Sequence, residues 1–407
     1  MNFQFTKFTP LEYMYIEIAN TFGLDKQIYK DRLEWVKTNL DNLEDFIDAA
    51  SDKFLFIKAV KNLREVQAGK PVGALVGFDA NCSGIQILSV LTRCIAGCIA
   101  TGAINSNVRP SAYLLVQEEM QNILGEAVDV DYEAIKLAVM SSCYGSKAEP
   151  KKLFDGDALD AFNAACRVVA PGAFNLLPLL RDTWNTKSLS HDWVMPDGFN
   201  VHIPVITTDI IKLEIEELAN YPMSTLITKN ERLDFSVSNV ANITHSIDGY
   251  IARTLIRYCN YNIDTIEYVN SIINIELYER MGDNSEIDQE LYESIVKLNL
   301  LDLTILEDMH EDNLYLYHTN ILRALSIKLE IMLSYKPFVV LPTHDCFKCH
   351  PNNMNVLRYW YNEILAELSN STLLANIISQ LLLKDVSLKV FEEDIADEIR
   401  KNDYAIN

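Results

Sequence analysis

Between residues 29 and 66, Leu33, Trp35, Val36, Leu40, Leu43 and Phe46 recur with a period near 3.6 among charged positions. That spacing predicts helices that turn one face to a core. Residues 72–78 form a continuous apolar run edged by glycines, which predicts a buried strand ending at Asp79. The helical period returns over 83–100, with Ile85, Leu88, Leu91, Ile95 and Ile99 on one side. Another helix is expected from Asp131, a favoured N-cap residue type, to Tyr144. Residues 337–341 again read as strand, and His344-Asp345 stands where that run stops, before 346–349. The pattern predicts a hairpin with Asp345 at or near its turn. The last forty residues read as mostly helical, and no repeat or low-complexity tract appears.

Composition adds limits. The 407 residues are 49% hydrophobic and 23% charged, a globular balance with room for several domains. The opening carries Lys7, Glu12 and Glu17 without a small-residue cleavage site, so no secretory signal is expected. The most membrane-like stretch, 84–104, is interrupted by Gln86 and Arg93 and is expected to be a buried helix. Eight cysteines in a chain of this length point to reduced thiols. The net charge of −22 argues against a polyanionic partner, but it is unevenly spread. Residues 261–320 hold fourteen acidic side chains against Arg280 and Lys297. Positive runs occur at Lys53, Lys58, Lys61, Arg64 and Lys70, and at Lys136, Lys147, Lys151 and Lys152. Their nearness in sequence to Asp79 predicts a basic cleft.

Asp79 and Asp345 each follow a predicted strand. Mg²⁺ prefers oxygen ligands and keeps waters and substrate phosphates, so two carboxylates suffice to anchor it. Two such ions about 3.5–4 Å apart activate an attacking hydroxyl and stabilise a leaving oxygen. Lys136, Met140 and Tyr144 are four apart, so they share a helix face and converge on one ligand. The lysine would meet triphosphate oxygens and the tyrosine a sugar.

Around these residues stand three ordered segments. They are Phe78-Asp79-Ala80-Asn81-Cys82-Ser83-Gly84-Ile85-Gln86, then Lys136 through Val139-Met140-Ser141-Ser142-Cys143-Tyr144-Gly145-Ser146-Lys147, then Thr343-His344-Asp345-Cys346-Phe347. They resemble motifs A, B and C of the single-subunit RNA polymerases of phages and mitochondria. Trp193-Val194-Met195-Pro196-Asp197-Gly198-Phe199 and His245-Ser246-Ile247-Asp248-Gly249 match further segments in the family's order, as does the stretch from Arg32 to Leu43. Within the family the nearest likeness is to the larger subunit of a two-subunit phage enzyme.

The resemblance implies a mostly helical α+β chain with a right-hand polymerase fold. Fingers and palm surround a small antiparallel palm sheet, and most of the thumb and N-terminal domain are absent. Residues 1–82 would begin the palm. Residues 83–244 would form the fingers, with a promoter-reading hairpin at about 200–240. The palm would continue over 245–260 and 331–407, separated by an acidic insertion at 261–330. Asp79, Asp345 and the backbone carbonyl of Ala80 would hold two Mg²⁺ ions. Lys136 would hold phosphates, Tyr144 would act beside it, and Gly84, Met140, His245 and Arg93 would bind the ribonucleoside triphosphate. Gly84 and Met140 stand where related DNA polymerases carry bulkier residues, which argues for ribose. The partners implied are a DNA template, an RNA product, ribonucleoside triphosphates and a second protein subunit, in the cytoplasm of a bacterial host and without a membrane.

Tyr132 departs from the pattern: the family has an arginine four residues before the motif B lysine. Four other readings compete. His344-Asp345 also suits a metal-dependent phosphohydrolase, given further histidines among His191, His202 and His245. Cys346-Phe347-Lys348-Cys349-His350 matches a haem-attachment pattern by letter, and with His344 offers a crowded zinc set. A catalytically dead scaffold is the non-enzymatic alternative, against which Asp79, Lys136, Tyr144 and Asp345 all stand intact.

Overall fold

The computed structural model describes residues 1–104, 108–125, 130–215, 221–280, 287–392 and 394–407. The chain opens with α1 (Pro10–Ala19), α2 (Tyr29–Thr38) and α3 (Lys53–Gln67), with a 3₁₀ stretch at Leu40–Ala49. Thr9 and Glu12 close a capping box on α1. The periodic apolar positions meet as expected: Phe22 stacks on Trp35 at 4.3 Å and meets Phe46 edge-on.

Strand β1 (Val76–Asp79) is shorter than the apolar run 72–78, because only these four residues find a partner strand. The single helix expected over 83–100 is two, α4 (Ser83–Leu91) and α5 (Ile95–Ala100). Arg93 between them takes a left-handed φ of 54°, which no helix accommodates. Among the described residues no helix is long and apolar enough to cross a membrane.

Five helices follow: α6 (Ala112–Leu124), α7 (Tyr132–Cys143), α8 (Ala148–Leu153), α9 (Gly156–Val169) and α10 (Pro171–Arg181). Two hairpins come next, β2 (Ser190–Val194) with β3 (Asn200–Pro204), and β4 (Ile206–Ile215) with β5 (Tyr221–Asn230). The second fills much of the stretch 200–240; residues 216–220 lie outside the described ones. Helix α11 (Ser238–Cys259) then crosses the molecule.

The acidic stretch folds into α12 (Ile263–Arg280), α13 (Gln289–Leu298) and two 3₁₀ turns, leading into α14 (Thr319–Leu333), with 281–286 outside the described residues. The strand expected at 337–341 starts only at its last residue, as β6 (Leu341–Thr343), and β7 (Cys346–Cys349) returns beside it. Helices α15 (Met354–Asn370), α16 (Leu373–Leu382) and α17 (Ala396–Arg400) follow. The last forty residues are less helical than expected, since 383–395 contain no helix among their described residues.

Strands β1, β7 and β6 form one antiparallel sheet in the order β1-β7-β6. Alternation buries Val76, Phe78, Phe347 and Cys349 on one face. Phe78 packs on Tyr13 and Tyr29, while Phe347 meets Tyr361 of α15. Trp360 of α15 stacks on Tyr258 of α11 at 4.0 Å. Arg358, fully buried, pairs with Asp403 at 3.2 Å and donates to the Thr6 carbonyl, tying both ends of the chain beneath the sheet. The sheet is thus clamped on its apolar face, and the carboxylates at its edge are held on a rigid base.

Candidate active site

Thr343 pairs with Cys346, so β6 and β7 are joined by only His344 and Asp345. A two-residue hairpin needs positive φ in its turn, and His344 supplies it at 56° without glycine. Such strain in a non-glycine residue persists only where the surroundings impose it. Asp79 ends β1 directly opposite Cys346, and the Ala80 N–H donates to the Asp345 carbonyl at 3.1 Å. Two carboxylates far apart in sequence therefore stand side by side.

Their electrostatics follow from that placement. The Asp79 carboxyl is pushed up to about 6, first by burial, then by the charge of Asp345 and a hydrogen bond with it; the Ala80 N–H and Arg109 oppose the shift. Two acids this close share a proton or exchange it for a cation. The Ala80 carbonyl accepts no hydrogen bond among the described residues. No group of three or more His, Cys, Asp or Glu is gathered for a metal among the described residues. The donor set is two carboxylates and a free carbonyl, which fits a hard ion that retains water and substrate oxygens, as Mg²⁺ does.

Helix α7 forms the facing wall. Asp131 caps it, accepting from the Ala134 N–H at 2.8 Å, and Tyr144 closes it. Asp79, Ala80, Gly84, Lys136, Met140, Tyr144 and Asp345 line one cleft of about 380 Å³. A Cβ on Gly84 would lie 3.1 Å from the Tyr144 hydroxyl. Gly145, at φ 94°, lets Val240 approach to 2.9 Å of where a Cβ would be, so the end of α7 seats directly on α11. That contact brings His245 to the Tyr144 ring, with centroids 4.8 Å apart. Burial holds the His245 imidazole below its ordinary pKa; His344 acts the same way and Asp345 opposes. One turn along α11, Asp248 is pushed up to about 6, mainly by burial and then by Asp345.

Other expected residues fall elsewhere. Arg93 does not line the cleft; its Nε donates to the Ser369 carbonyl at the end of α15. The positive run at 53–70 does not line it either, and Lys53 and Arg64 pair with Asp48 and Glu44. Lys147 and Lys151 border a neighbouring cavity. The zinc reading fails on strand geometry: Cys346 and Cys349 lie on opposite faces of β7, three residues apart. His191 accepts from the Asn185 N–H and His202 contacts Asp192, so neither joins His344-Asp345 as a phosphohydrolase ligand. Asp197 is buried in a clamp with Arg253 and Arg257 of α11, which makes the 193–199 segment a brace for the His245 helix.

Several cleft residues escaped the sequence reading. Arg109 lines the cleft from the segment between α5 and α6, beside Tyr132. Its Nε donates to Asn407 Oδ1 at 3.1 Å and its Nη1 to the Pro110 carbonyl, while Nη2 has no protein partner among the described residues. Lys26 lies over the Tyr132 ring at 5.0 Å. Tyr113 enters from the first turn of α6 and is hydrogen-bonded with Cys82. None belongs to a periodic segment that points at Asp79; only the folded path does. Asp248 lay within a recognised segment without an assigned role.

The chain is similar to a probable DNA-directed RNA polymerase of Gelasinospora sp. (strain G114), at 22% identity over 427 residues that cover 96% of this chain and 46% of the relative. It is also similar to a probable DNA-directed RNA polymerase of Podospora anserina, at 29% identity over 103 residues that cover 21% of this chain and 10% of the relative. The chain thus spans about half the length, or less, of these curated relatives. Residues 8–149, which include Asp79, Gly84, Lys136 and Tyr144, match the family model of DNA-dependent RNA polymerase.

Proposed function

We propose that this chain carries the catalytic centre of a DNA-directed RNA polymerase and adds ribonucleotides to an RNA 3′ end on a DNA template. The observation that carries the reading is the convergence of Asp79 and Asp345 with Lys136 and Tyr144 on one cleft. Asp79, Asp345 and the Ala80 carbonyl would hold Mg²⁺, which when bound supplies activation of the attacking hydroxyl and neutralises the leaving phosphate. Lys136 reaches into the cleft from α7 as the cation for the triphosphate. Arg109 takes up the phosphate contact that Tyr132 does not make: it stands beside Tyr132, and its Nη2 has no partner among the described residues. Tyr144 and the neutral His245 together bind the sugar, with Gly84 leaving the space that Tyr144 fills.

In this reading the small sheet with α1, α11 and α15 is the palm, and α6 to α10 with the two hairpins are the fingers. The β4–β5 hairpin would read promoter DNA. It is also the surface on which we place a second polypeptide. Ile210 and Leu226 face each other across it at 69% and 67% exposure, and an isolated two-stranded ribbon is marginal in water.

The test is extension of a labelled RNA primer annealed to a DNA template. Asp79→Asn and Asp345→Asn should each abolish addition while leaving the melting temperature and scaffold binding near wild type. Extension by either variant at close to the wild-type rate would overturn the assignment.

A further inference from the structure

Helix α12 is apolar on two opposite faces, and only one of them is covered. Ile266, Val269 and Ile273 are buried on the inner face, which packs on α14. There Ser326 Oγ donates to Asn274 Oδ1 at 2.8 Å. On the outer face stand Tyr268, Ser271, Ile275 and Tyr278, spaced i, i+3, i+7 and i+10 along one stripe. Ser271 Oγ donates to the Tyr268 carbonyl, so its hydroxyl is already satisfied within the helix. Tyr278 is 86% exposed, and Tyr268 and Ile275 are about half exposed. Single apolar side chains are ordinary on a surface, but these follow one face for about 15 Å and form a continuous strip. Tyrosine is enriched where proteins meet, because its ring packs while its hydroxyl stays wet.

Carboxylates flank the strip. Glu267 and Glu279 are exposed and make no ion pair among the described residues, whereas Glu276 pairs with Arg280 at 2.6 Å. Asp264, in the first turn, suits the helix dipole; Glu279, in the last turn, opposes it. Glu279 is thus unfavourable within its own helix and favourable beside an external cation. Residues 261–320 as a whole carry a surplus of twelve negative charges. That charge repels a phosphate backbone, and it repels a second copy of this chain, itself at −22. It attracts a polypeptide rich in lysine and arginine. None of the residues of α12 lines the catalytic cleft.

We propose that the outer face of α12 is a docking surface for a basic amphipathic helix of a separate protein. That helix lays apolar side chains on Tyr268, Ile275 and Tyr278 and sets lysine or arginine against Glu267 and Glu279. Anchors spaced by whole helical turns on the partner match the spacing of the strip. Neither the strip nor its charge depends on the polymerase reading.

The experiment is binding of a fluorescent helical peptide of leucine and lysine, its leucines at i, i+3, i+7 and i+10, to the full chain across a salt series. Tyr268→Ala with Tyr278→Ala should weaken binding at least about tenfold, mainly through faster dissociation. Tyr278→Phe should bind as wild type, since the ring does the packing. Glu267→Gln with Glu279→Gln should slow association and flatten its dependence on salt. Asp41→Asn with Asp45→Asn, exposed acids of the 3₁₀ stretch, should change neither rate. Melting temperature should stay at the wild-type value in every variant, because each changed side chain faces solvent. Equal binding by all variants would show diffuse attraction to a negative chain and overturn the surface, as would no binding by wild type. Oligothymidylate binding that the tyrosine variant loses would make the strip a nucleic-acid platform and overturn the protein partner. A wild-type dimer in sedimentation that the tyrosine variant dissolves would make the occupant a second copy and overturn the basic helix.

Discussion

Gly84 and Tyr144 are packed so closely that a Cβ on the first would sit 3.1 Å from both Cζ and the hydroxyl of the second. The glycine expected to leave room for a ribose hydroxyl leaves room first for the tyrosine. Tyr144 in turn is hydrogen-bonded with Ser83 and lies against His245, so the three form one connected group. Tyr144→Phe should keep RNA synthesis but narrow ribose preference severalfold to tenfold, since one neutral hydrogen bond is worth about 0.5–1.5 kcal/mol. Gly84→Ala should push the ring aside and lower ribonucleotide incorporation at least as much. Competition between ribo- and deoxyribonucleoside triphosphates on one scaffold reads both, and unchanged ratios would assign sugar choice elsewhere.

Protons and metal should compete at the carboxylates. The Asp79 pKa is raised from its ordinary value to about 6, so the folded chain binds the proton more tightly than the unfolded one. Without divalent ions the stabilising effect of that proton is fully present below about pH 4 and is lost as pH rises through 6. Asp248, raised the same way, adds to the same window, and the apparent midpoints belong to the coupled set. Melting temperature in chelator should therefore carry a component that falls between pH 4 and above 6, and Asp79→Asn should weaken it. At pH 7.5, Mg²⁺ should raise the melting temperature of wild type and not of Asp79→Asn or Asp345→Asn.

Arg109 is expected to act on substrate rather than on template. Hydrogen bonds to charged groups contribute about 1.5–3 kcal/mol, so Arg109→Gln should raise the KM for nucleotide roughly tenfold to a hundredfold. Scaffold affinity should not follow. Arg109→Lys should recover part of the loss, because charge returns without the fork. A variant that loses template binding in step with nucleotide binding would make Arg109 a structural partner of Asn407 alone.

Asp197 is expected to act through stability. Its side chain is 1% exposed and bridges Arg253 and Arg257 at 2.6 and 2.8 Å. Removing one partner of a fully buried pair costs about 3–5 kcal/mol; here the loss should be smaller, because Arg253 and Arg257 are 30% and 26% exposed and Arg257 keeps Asp302 at 3.6 Å. Asp197→Ala should lower the denaturant midpoint accordingly and loosen α11, with a drop in extension that tracks the loss of folded protein. A stable but inactive variant would instead give this segment a direct part in the chemistry.

Local pattern alone was enough for the pieces whose geometry is itself local. The Asp131 cap and the four-residue spacing of Lys136, Met140 and Tyr144 needed only helix geometry, and that face does line the cleft. The two-residue turn at His344-Asp345 was marked by the apolar runs that flank it. Tertiary structure decided what depends on partners distant along the chain. Strand β1 ends up four residues long because β7 pairs only there, and α4 stops because Arg93 turns left-handed, where its Nε reaches Ser369. Arg109 became a cleft residue through a loop without periodicity, and the positive run at 53–70 went to surface pairs and solvent instead. Periodicity records which face of a segment is buried; it carries nothing about what lies opposite, and both the phosphate contacts and the shared proton at Asp79 are properties of what lies opposite.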